Sequence, residues 1–263
     1  MKHKALELRK KIFNLCCHHG SGHLTSALSC VEILMTLFYD ILNYDSTLPD
    51  WSERDYFILS KGHAAPTLYT ILADCGFFPE EELWKDYKYS THPSHDVQGV
   101  EFSTGSLGHG LSYAVGLALG LKLSRKSNLV FVLVGDGECY EGIVWEAINF
   151  AGGYNLNNLI VIVDRNGLCA TDFTEDILPL SNLSDRFSAF GWNTKVIDGH
   201  DQRQLYGSLK DVRSKLINKP LCIIAHTIKG KGIKSIENEP LWHARCPSLE
   251  QKEQLEMEFS IHK

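Results

Sequence analysis

The chain has 263 residues, of which 44% are hydrophobic, and a formal charge of −6. Its length and apolar content exclude a disordered polypeptide and suit one large α/β domain or two small ones. The acidic balance argues against a surface that follows nucleic-acid phosphates, and no stretch reaches the roughly 18 apolar residues of a membrane span.

The amino-terminal third is predicted to be mainly helical. Apolar residues at helical spacing predict a first helix that stops at Gly20 and Gly22. The stretch "SALSCVEILMTLFYDILN" predicts a second, buried helix. "YFILS" then predicts a short strand, and the next segment predicts a loop leading into a helix capped by Gly76.

The middle of the chain is predicted to contain a long loop and a helix rich in small residues. Residues 78–104 carry few apolar runs, so they predict an extended loop with room for one helical turn. "TGSLGHGLSYAVGLALGLKL" predicts a glycine-rich loop and a helix in which Gly116 and Gly120 allow close packing against neighbouring backbone.

The carboxy-terminal half alternates strands and helices. "NLVFVLV" and "LIVIV" are continuous apolar runs, which is typical of parallel strands covered on both faces. A helix is predicted between them, over about Glu141 to Gly152. The same strand–helix–strand order follows, with strands at "WNTKVI" and "PLCIIAHTI" and a helix over about Gln202 to Ile217. The sequence therefore predicts an α/β fold with an open, mainly parallel sheet and helices on both faces.

Polar, glycine-flanked corners follow two of these strands. Asp136 lies in "GDG" after the first strand, and Asn166 lies in "DRNG" after the second. Because ligands bind beyond the carboxyl ends of parallel strands, both corners are expected at one crevice. A carboxylate and an amide oxygen together predict a site for Mg2+ or Ca2+ shared with a phosphate ligand, although "DG" and "NG" are also common turn dipeptides.

Two other kinds of site are disfavoured. No G-x-G-x-x-G opens a helix after a strand, and "GSLGHG" lacks the acidic residue expected about 20 positions further on, which argues against a Rossmann dinucleotide site. The eight cysteines form no C-x-x-C pair. They favour reduced, packed thiols in a cytoplasmic protein over structural zinc or disulfides, and the charged amino terminus lacks the apolar core of a signal peptide.

Further motifs place the polar corners in a known family. Asp136 and Asn166 are 30 residues apart (166 − 136), which resembles the thiamine-diphosphate motif G-D-G…N. "GSGHLTSALS", "ILSKGHAAPTLY", "THPSHDVQGVEFSTGSLGHGLSYAVGLALG" and "KGKGIKSIENEPLWHARCP" resemble, in order, successive transketolase segments. The matches span residues 20 to 247. The chain thus resembles the amino-terminal, diphosphate-binding subunit of a split transketolase, which implies a single thiamine-diphosphate-binding domain over residues 1–263.

The resemblance also implies roles for individual residues. Mg2+ would lie on the side chains of Asp136 and Asn166 and on the backbone oxygen of Leu168. The implied cofactor contacts come from glycines, histidines, a leucine, an asparagine and an acidic residue: His63, Gly105, Leu107, Gly137, Glu141, Asn166 and His243.

The implied catalytic residues are four histidines and one glutamate. His23 and His92 would line the substrate channel, and His63 and His243 would reach the cofactor. Imidazoles suit this chemistry because they titrate near neutral pH. Glu141 would face its counterpart across a subunit interface, or would simply favour the start of a helix. His18, His19, His95 and His226 have no such support.

This sequence departs from the family pattern at several positions. Leu24 and Thr25 replace the proline and glycine of S-G-H-P-G, and Ser106 and His109 replace the proline and glutamine of G-P-L-G-Q-G. Ala244 replaces the glycine of W-H-G. The implied cofactor site is intact, and these changes bear on the substrate.

The resemblance implies a partner chain and leaves several functions open. The family needs a glutamate from a pyrimidine-binding domain, which residues after 247 are too few to encode. We therefore expect a carboxy-terminal transketolase subunit in an α2β2 assembly, acting on sugar phosphates. The alternatives are the same chemistry on a specialised or sulfonated sugar or a carrier-bound unit, a non-catalytic binding module, and a component of a 2-oxoacid dehydrogenase or decarboxylase.

Overall fold

A computed structural model describes residues 2–213 and 218–259. Within them, five strands form one sheet in the order β1-β2-β3-β5-β4, and every neighbouring pair is parallel. This confirms the predicted parallel sheet. The strands are β1 (Tyr56–Leu59), β2 (Val130–Gly135), β3 (Leu159–Arg165), β4 (Asn193–Asp198) and β5 (Leu221–His226).

Helices cover both faces of this sheet, as predicted. The α-helices of the described residues are α1 (Lys2–His19), α2 (Leu24–Ser29), α3 (Val31–Thr36), α4 (Ala65–Asp74), α5 (Glu82–Lys85), α6 (His109–Leu123), α7 (Gly142–Gly153), α8 (Thr174–Ile177), α9 (Leu183–Ala189), α10 (Gln202–Leu209) and α11 (Leu249–Glu258). Short 3-10 turns occur at Gly62–Ala64, Tyr87–Ser90, Gly137–Tyr140 and Pro240–Trp242.

Two hydrophobic cores lie on opposite faces of the sheet. Side chains of β2 alternate between them: Phe131 and Leu133 join the core formed with α1 to α4, α10 and α11, whereas Val132 and Val134 join the core formed with α6, α7 and α9. All six residues of β2 are buried. A strand with both faces covered needs apolar residues at every position, which explains the continuous run in the sequence.

The predicted helix over residues 26–43 is interrupted. The chain leaves helical geometry at Cys30, between α2 and α3, and continues beyond α3 as a π-helical segment at Leu37–Ile41. Every residue of α2 and α3 is buried. The lengths of α2 and α3 therefore depend on packing against neighbouring elements. The helical periodicity of apolar residues does not show where such helices end.

Two other local predictions need correction. Helix α10 ends at Leu209 and a turn follows, so the predicted helix is wrong for residues 210–213. The rest of that predicted helix, up to Ile217, lies outside the described residues. Gly116 and Gly120 do not pack against backbone, because both are exposed and a Cβ at either would meet no atom within 4 Å. The small residues of α6 leave this face open.

Other predicted features agree with the structure. Helix α1 ends at His19, immediately before Gly20, and Gly76 follows α4 with a left-handed φ of 80°. All eight cysteines are free thiols. Across the described ranges, no helix has both the length and the apolar character needed to cross a bilayer.

Connections after the strands open a crevice at the carboxyl edge of the sheet. The segment after β3 leads to α9 on one face, whereas the segment after β5 leads to α11 on the other. Neighbouring strands whose connections diverge in this way leave room between them for a ligand.

Candidate active site

A cavity of about 340 Å³ lies at the carboxyl ends of β1, β2, β3 and β5. Every residue for which the sequence implied a metal, cofactor or catalytic role lines it: His23, His63, His92, Gly105, Leu107, Asp136, Gly137, Glu141, Asn166, Leu168 and His243. The structure thus brings together loops that are up to 220 residues apart (243 − 23) in the sequence.

Asp136 joins the two polar corners directly. Its carboxylate accepts hydrogen bonds from the Gly137 N–H at 2.9 Å, from the Gly167 N–H at 2.6 Å and from Arg165 at 3.0 Å. Only 1% of its surface is exposed. Burial and the nearby Asp164 charge raise the pKa of Asp136, so a cation at this oxygen would relieve an electrostatic cost.

Asn166 and Leu168 supply neutral oxygens beside this carboxylate. The Asn166 Nδ2 donates a weak hydrogen bond to Asp164 at 3.4 Å. The amide oxygen Oδ1 accepts one from the Leu168 N–H at 3.1 Å. Both residues are more than nine-tenths buried. A carboxylate, an amide oxygen and a peptide oxygen form the donor set that Mg2+ and Ca2+ prefer, so these residues fit such an ion.

Metals that prefer nitrogen and sulfur have no comparable arrangement. In residues 2–213 and 218–259, no three His, Cys, Asp or Glu side chains form a group that could hold a metal ion.

A buried ion pair lies next to the oxygens that could bind a metal ion. Lys61 and Asp164 are both fully buried, and the lysine ammonium contacts the aspartate Oδ2. Ser29 donates to the same carboxylate at 2.6 Å, and Thr227 also donates to it. Although burial opposes it, the Lys61 charge lowers the pKa of Asp164, so the carboxylate that orients Asn166 stays ionised.

Four histidines form a cluster with His23 at its centre. The ring centre of His23 lies 5.5 Å from that of His63, 5.9 Å from that of His92 and 5.2 Å from that of His243. Burial and neighbouring positive charges lower the pKa of His23 to about 4, that of His243 to about 3, and that of His63 well below its ordinary value. These three imidazoles are therefore neutral at physiological pH.

Lys229 is a cavity residue that the sequence analysis missed. Its side chain is buried, and its ammonium donates to the Cys169 carbonyl at 2.9 Å and contacts His243 Nδ1 at 2.8 Å. Because an ammonium only donates, Nδ1 accepts and the proton of neutral His243 is on Nε2. Burial and the Lys61 charge lower the pKa of Lys229 to about 8. The lysine of "KGKG" was the available signal.

Ser26 and Glu138 also line the cavity and were not predicted. Ser26 Oγ is buried without a hydrogen-bond partner among the described residues, so it can serve a polar ligand. Glu138 is 1% exposed and accepts hydrogen bonds from Ser60, from the Gly108 N–H and from the Gly135 N–H. It thereby ties the start of α6 to the ends of β1 and β2.

The loop before α6 forms one wall of the cavity. Gly105 has a φ of +156° and lies against His92, whose Cδ2 would be 3.2 Å from a Cβ at residue 105. Glu141, just before α7, is exposed and lines the cavity. Of the histidines without a predicted role, His18 and His19 contact the backbone carbonyls of residues 84 and 83, away from the cavity.

Comparison with known proteins identifies close relatives of this chain. The family model described as "Transketolase, thiamine diphosphate binding domain" matches residues 8–258. The chain is 37% identical to the 6-deoxy-6-sulfo-D-fructose transketolase subunit of a Clostridium species and 41% identical to an apulose-4-phosphate transketolase subunit of Actinobacillus succinogenes. Each alignment covers 96% of this chain, and they cover 97% and 93% of the respective relative.

Longer relatives align over only part of their length. Mouse transketolase is 39% identical over 98% of this chain but 42% of its own. The crystal structure of Campylobacter jejuni transketolase superposes with a TM-score of 0.87 at 30% identity, over 96% of this chain and 42% of that one. This chain therefore spans about two-fifths of these transketolases and nearly all of the two subunits.

Proposed function

The chain belongs to the transketolase family, and we propose that it is the thiamine-diphosphate-binding subunit of a two-chain transketolase that moves a two-carbon ketol unit between sugar phosphates. The observation that carries this proposal is one cavity in which metal-type oxygens, a buried lysine and neutral histidines meet. We further propose that residues 1–263 form a single domain and that the protein is cytoplasmic.

The cavity residues divide into groups that suit the parts of the cofactor. Asp136, Asn166 and the Leu168 carbonyl would hold Mg2+ or Ca2+, and Lys229 and the Gly137 N–H would meet the diphosphate. Thiamine diphosphate, when bound, supplies an electron sink for breaking and forming carbon–carbon bonds beside a carbonyl.

Further residues would contact the cofactor rings. We propose that Gly105 and Leu107 lie along the aminopyrimidine and thiazolium rings. His63 and His243 would approach the diphosphate side and the reacting end, and Glu141 would also reach the cofactor.

The histidines would carry protons to and from the sugar. Ketol transfer requires a hydroxyl to lose a proton as a carbon–carbon bond breaks and to regain one as the new bond forms. His23 and His63 are neutral in this environment, so each can accept a proton and return it. His243 accepts from Lys229 at Nδ1 and carries its own proton on Nε2, so it would act as a donor. His92 is more exposed and would line the channel by which the sugar enters.

A second chain would complete the site. Two relatives that this chain matches over nearly their whole length are named as transketolase subunits, which supports a carboxy-terminal, pyrimidine-binding partner in an α2β2 assembly. The open face of α6 and α7 also supports an interface, since Tyr113, Leu123, Phe150 and Tyr154 are exposed there. Glu141 would lie at that interface.

A specialised sugar is the second candidate substrate, because the two matched subunits bear the names of a sulfonated sugar and of apulose 4-phosphate. The departures from the family pattern lie within two residues of cavity residues in the sequence but do not line the cavity themselves. Thr25 is buried and its hydroxyl donates to the Trp242 carbonyl at 3.2 Å, tying the His23 loop to the His243 segment. Ser106 and His109 are exposed, as is Ala244.

Metal and cofactor binding test the first part of this proposal. We expect Asp136→Asn to abolish Mg2+-dependent binding of thiamine diphosphate, measured by calorimetry on the chain with its partner. Asp176→Asn is the matched control, because it removes an exposed carboxylate outside the cavity. Equal affinity in the two variants would disprove the metal assignment.

Turnover tests the rest. Ketol transfer from a ketopentose phosphate to an aldopentose phosphate should appear only when the candidate carboxy-terminal chain is added. His63→Ala should retain assembly but lose most turnover, whereas His95→Ala, at an exposed position, should not. Full activity of the chain alone would refute the partner requirement, and a fully active His63→Ala enzyme would refute the role of His63.

A further inference from the structure

A buried charged network lies beside a second cavity of about 470 Å³, separate from the candidate active site. Glu32 on α3 accepts hydrogen bonds from both terminal nitrogens of Arg9 on α1, at 2.7 and 2.6 Å. The side chains of both residues are more than nine-tenths buried. Despite burial, bonds from His200 and Arg9 lower the pKa of Glu32 to about 2, so its carboxylate is a permanent acceptor at neutral pH.

His200 connects this network to the backbone after β5. Its Nδ1 lies 2.9 Å from Glu32 Oε2, and its Nε2 lies 2.9 Å from the backbone nitrogen of Ile228. A backbone N–H can only donate, so Nε2 is the acceptor and the ring proton is on Nδ1, facing Glu32. Both ring nitrogens are therefore committed, and the ring orientation is fixed.

The backbone that His200 holds leads directly to the active-site lysine. Thr227 is anchored to Asp164, Ile228 to His200, and the next residue, Lys229, extends into the candidate active site. We propose that His200 is a positioning residue, which fixes the turn after β5 so that the Lys229 ammonium stays between the Cys169 carbonyl and His243. The significance of that position for catalysis rests on the proposed function.

Gly199 permits the close approach on which this contact depends. Its N–H donates to the His226 carbonyl at 2.7 Å. A Cβ at residue 199 would lie 2.5 Å from Thr227 Cγ2 and 3.0 Å from the His226 carbonyl oxygen. Any larger residue would push the His200 turn away from the segment that it supports.

Two conservative substitutions separate positioning from a general contribution to stability. His200→Gln keeps an acceptor near the place of Nε2 and can still bind the Ile228 N–H. His200→Asn keeps a donor near the place of Nδ1 but is too short to reach Ile228. Glu32→Gln weakens the charged network but leaves the His200–Ile228 bond available, so it controls for lost stability.

The first measurement follows the accessibility of lysines in the full chain without cofactor. Brief treatment with acetic anhydride, followed by isotopically heavy anhydride after denaturation, gives the labelling of each lysine by mass spectrometry. Lys85, whose side chain is 63% exposed, is the exposed reference, and fully buried Lys61 reports global opening. In His200→Asn we expect Lys229 labelling to rise toward that of Lys85 while Lys61 stays protected.

His200→Gln and Glu32→Gln should protect Lys229 as the unmodified protein does. The inference is overturned if Lys229 stays protected in His200→Asn, if Lys61 becomes labelled together with it, or if His200→Gln exposes Lys229 as much as His200→Asn. The last two results would mean that His200 only stabilises the fold.

Cofactor affinity provides the second measurement, with the partner chain present. Loss of a charge-assisted contact should raise the Kd for thiamine diphosphate about tenfold in His200→Asn, with less change in His200→Gln. Equal affinity in these two variants would overturn the inference. If the unmodified protein binds no thiamine diphosphate, the proposed function fails, whereas the lysine labelling still decides the role of His200.

Discussion

Replacing Lys61 by methionine should make the stability of the protein depend on pH in a defined direction. Lys61 and Asp164 form a fully buried ion pair beneath the candidate metal site. The methionine preserves the length of the apolar stem but removes the charge, so Asp164 keeps Ser29 and Thr227 as donors and loses its cation. A buried carboxylate without a counter-charge has a raised pKa.

The size and sign of the effect follow from this raised pKa. Removing one partner of a buried pair costs about 3–5 kcal/mol, out of a total stability of about 5–15 kcal/mol. Above the ordinary carboxyl pKa of 3.8, the folded variant holds a proton at Asp164 that the unfolded chain releases. Stability relative to the unmodified protein should therefore fall as pH rises from about 4.

Asp164→Asn should show the opposite slope. It leaves the Lys61 ammonium buried without its carboxylate, which lowers the pKa of Lys61 below its ordinary value of 10.5. The unfolded chain then holds a proton that the folded protein releases, so relative stability should fall as pH decreases from about 10.

Urea unfolding between pH 5 and 9, in the presence of a chelator, measures both slopes. The double variant Lys61→Met/Asp164→Asn has no unpaired charge, so we expect its stability relative to the unmodified protein to vary little with pH. Parallel slopes in the two single variants, or a loss below about 1 kcal/mol in both, would refute the assignment of a buried ion pair.

Three further substitutions or titrations test other parts of the structure. Because the pKa of Glu32 is lowered to about 2, its carboxylate should stabilise the fold by roughly 3 kcal/mol above pH 4.5 and should lose that contribution as pH falls toward 2. In Glu32→Gln, the free energy of unfolding measured in urea should therefore depend less on pH between 4.5 and 2. The ring protons of His23 and His243 should show no NMR titration between pH 8 and 5 in the cofactor-free chain, and midpoints near 6.5 would contradict their burial. Gly152→Ala should destabilise by about 1–3 kcal/mol or more, because its Cβ would lie 1.7 Å from a backbone oxygen in the turn before β4, whereas Gly153→Ala meets nothing within 4 Å and should be neutral or stabilising in thermal unfolding.

The sequence predicted features that depend on the periodicity of apolar residues and on the order of the strands along the chain. Continuous apolar runs predicted β2 and β3, and the corners after them placed Asp136 and Asn166 at one edge, where Asp136 and the Asn166 turn now lie within hydrogen-bonding distance. Motif resemblance then predicted that His23, His63 and His243 would lie at the same ligand edge, and the structure brings their rings within 5.5 Å of one another. These inferences succeeded because parallel strands share an edge and because family motifs preserve loop positions.

Features that depend on the surroundings of a residue were missed. Lys229 stands in a glycine-rich stretch, where a lysine usually faces solvent, and only the tertiary structure shows that it is buried. Ser26 begins the predicted buried helix, but only the tertiary structure shows that its hydroxyl lines the cavity without a hydrogen-bond partner among the described residues. Gly116 and Gly120 illustrate the reverse error. Small residues in a helix indicate that close packing is sterically allowed, and the packing partner for this face is absent from the described chain.

The electrostatic potential in the cavity is set by pairs of neighbouring charged side chains, and the net charge of −6 contributes little to it. Lys61 is neutralised by Asp164, and Arg165 by Asp136 and Glu175, whereas Lys229 contacts only neutral acceptors in its hydrogen bonds. Lys229 is therefore the positive charge most available to an anionic ligand. The same charge contributes to the low pKa values of His23 and His243. Burial is the larger cause of those low pKa values, and the lysine adds to it. One buried lysine thus favours a diphosphate and helps to keep the neighbouring imidazoles neutral, which connects anion binding with proton transfer.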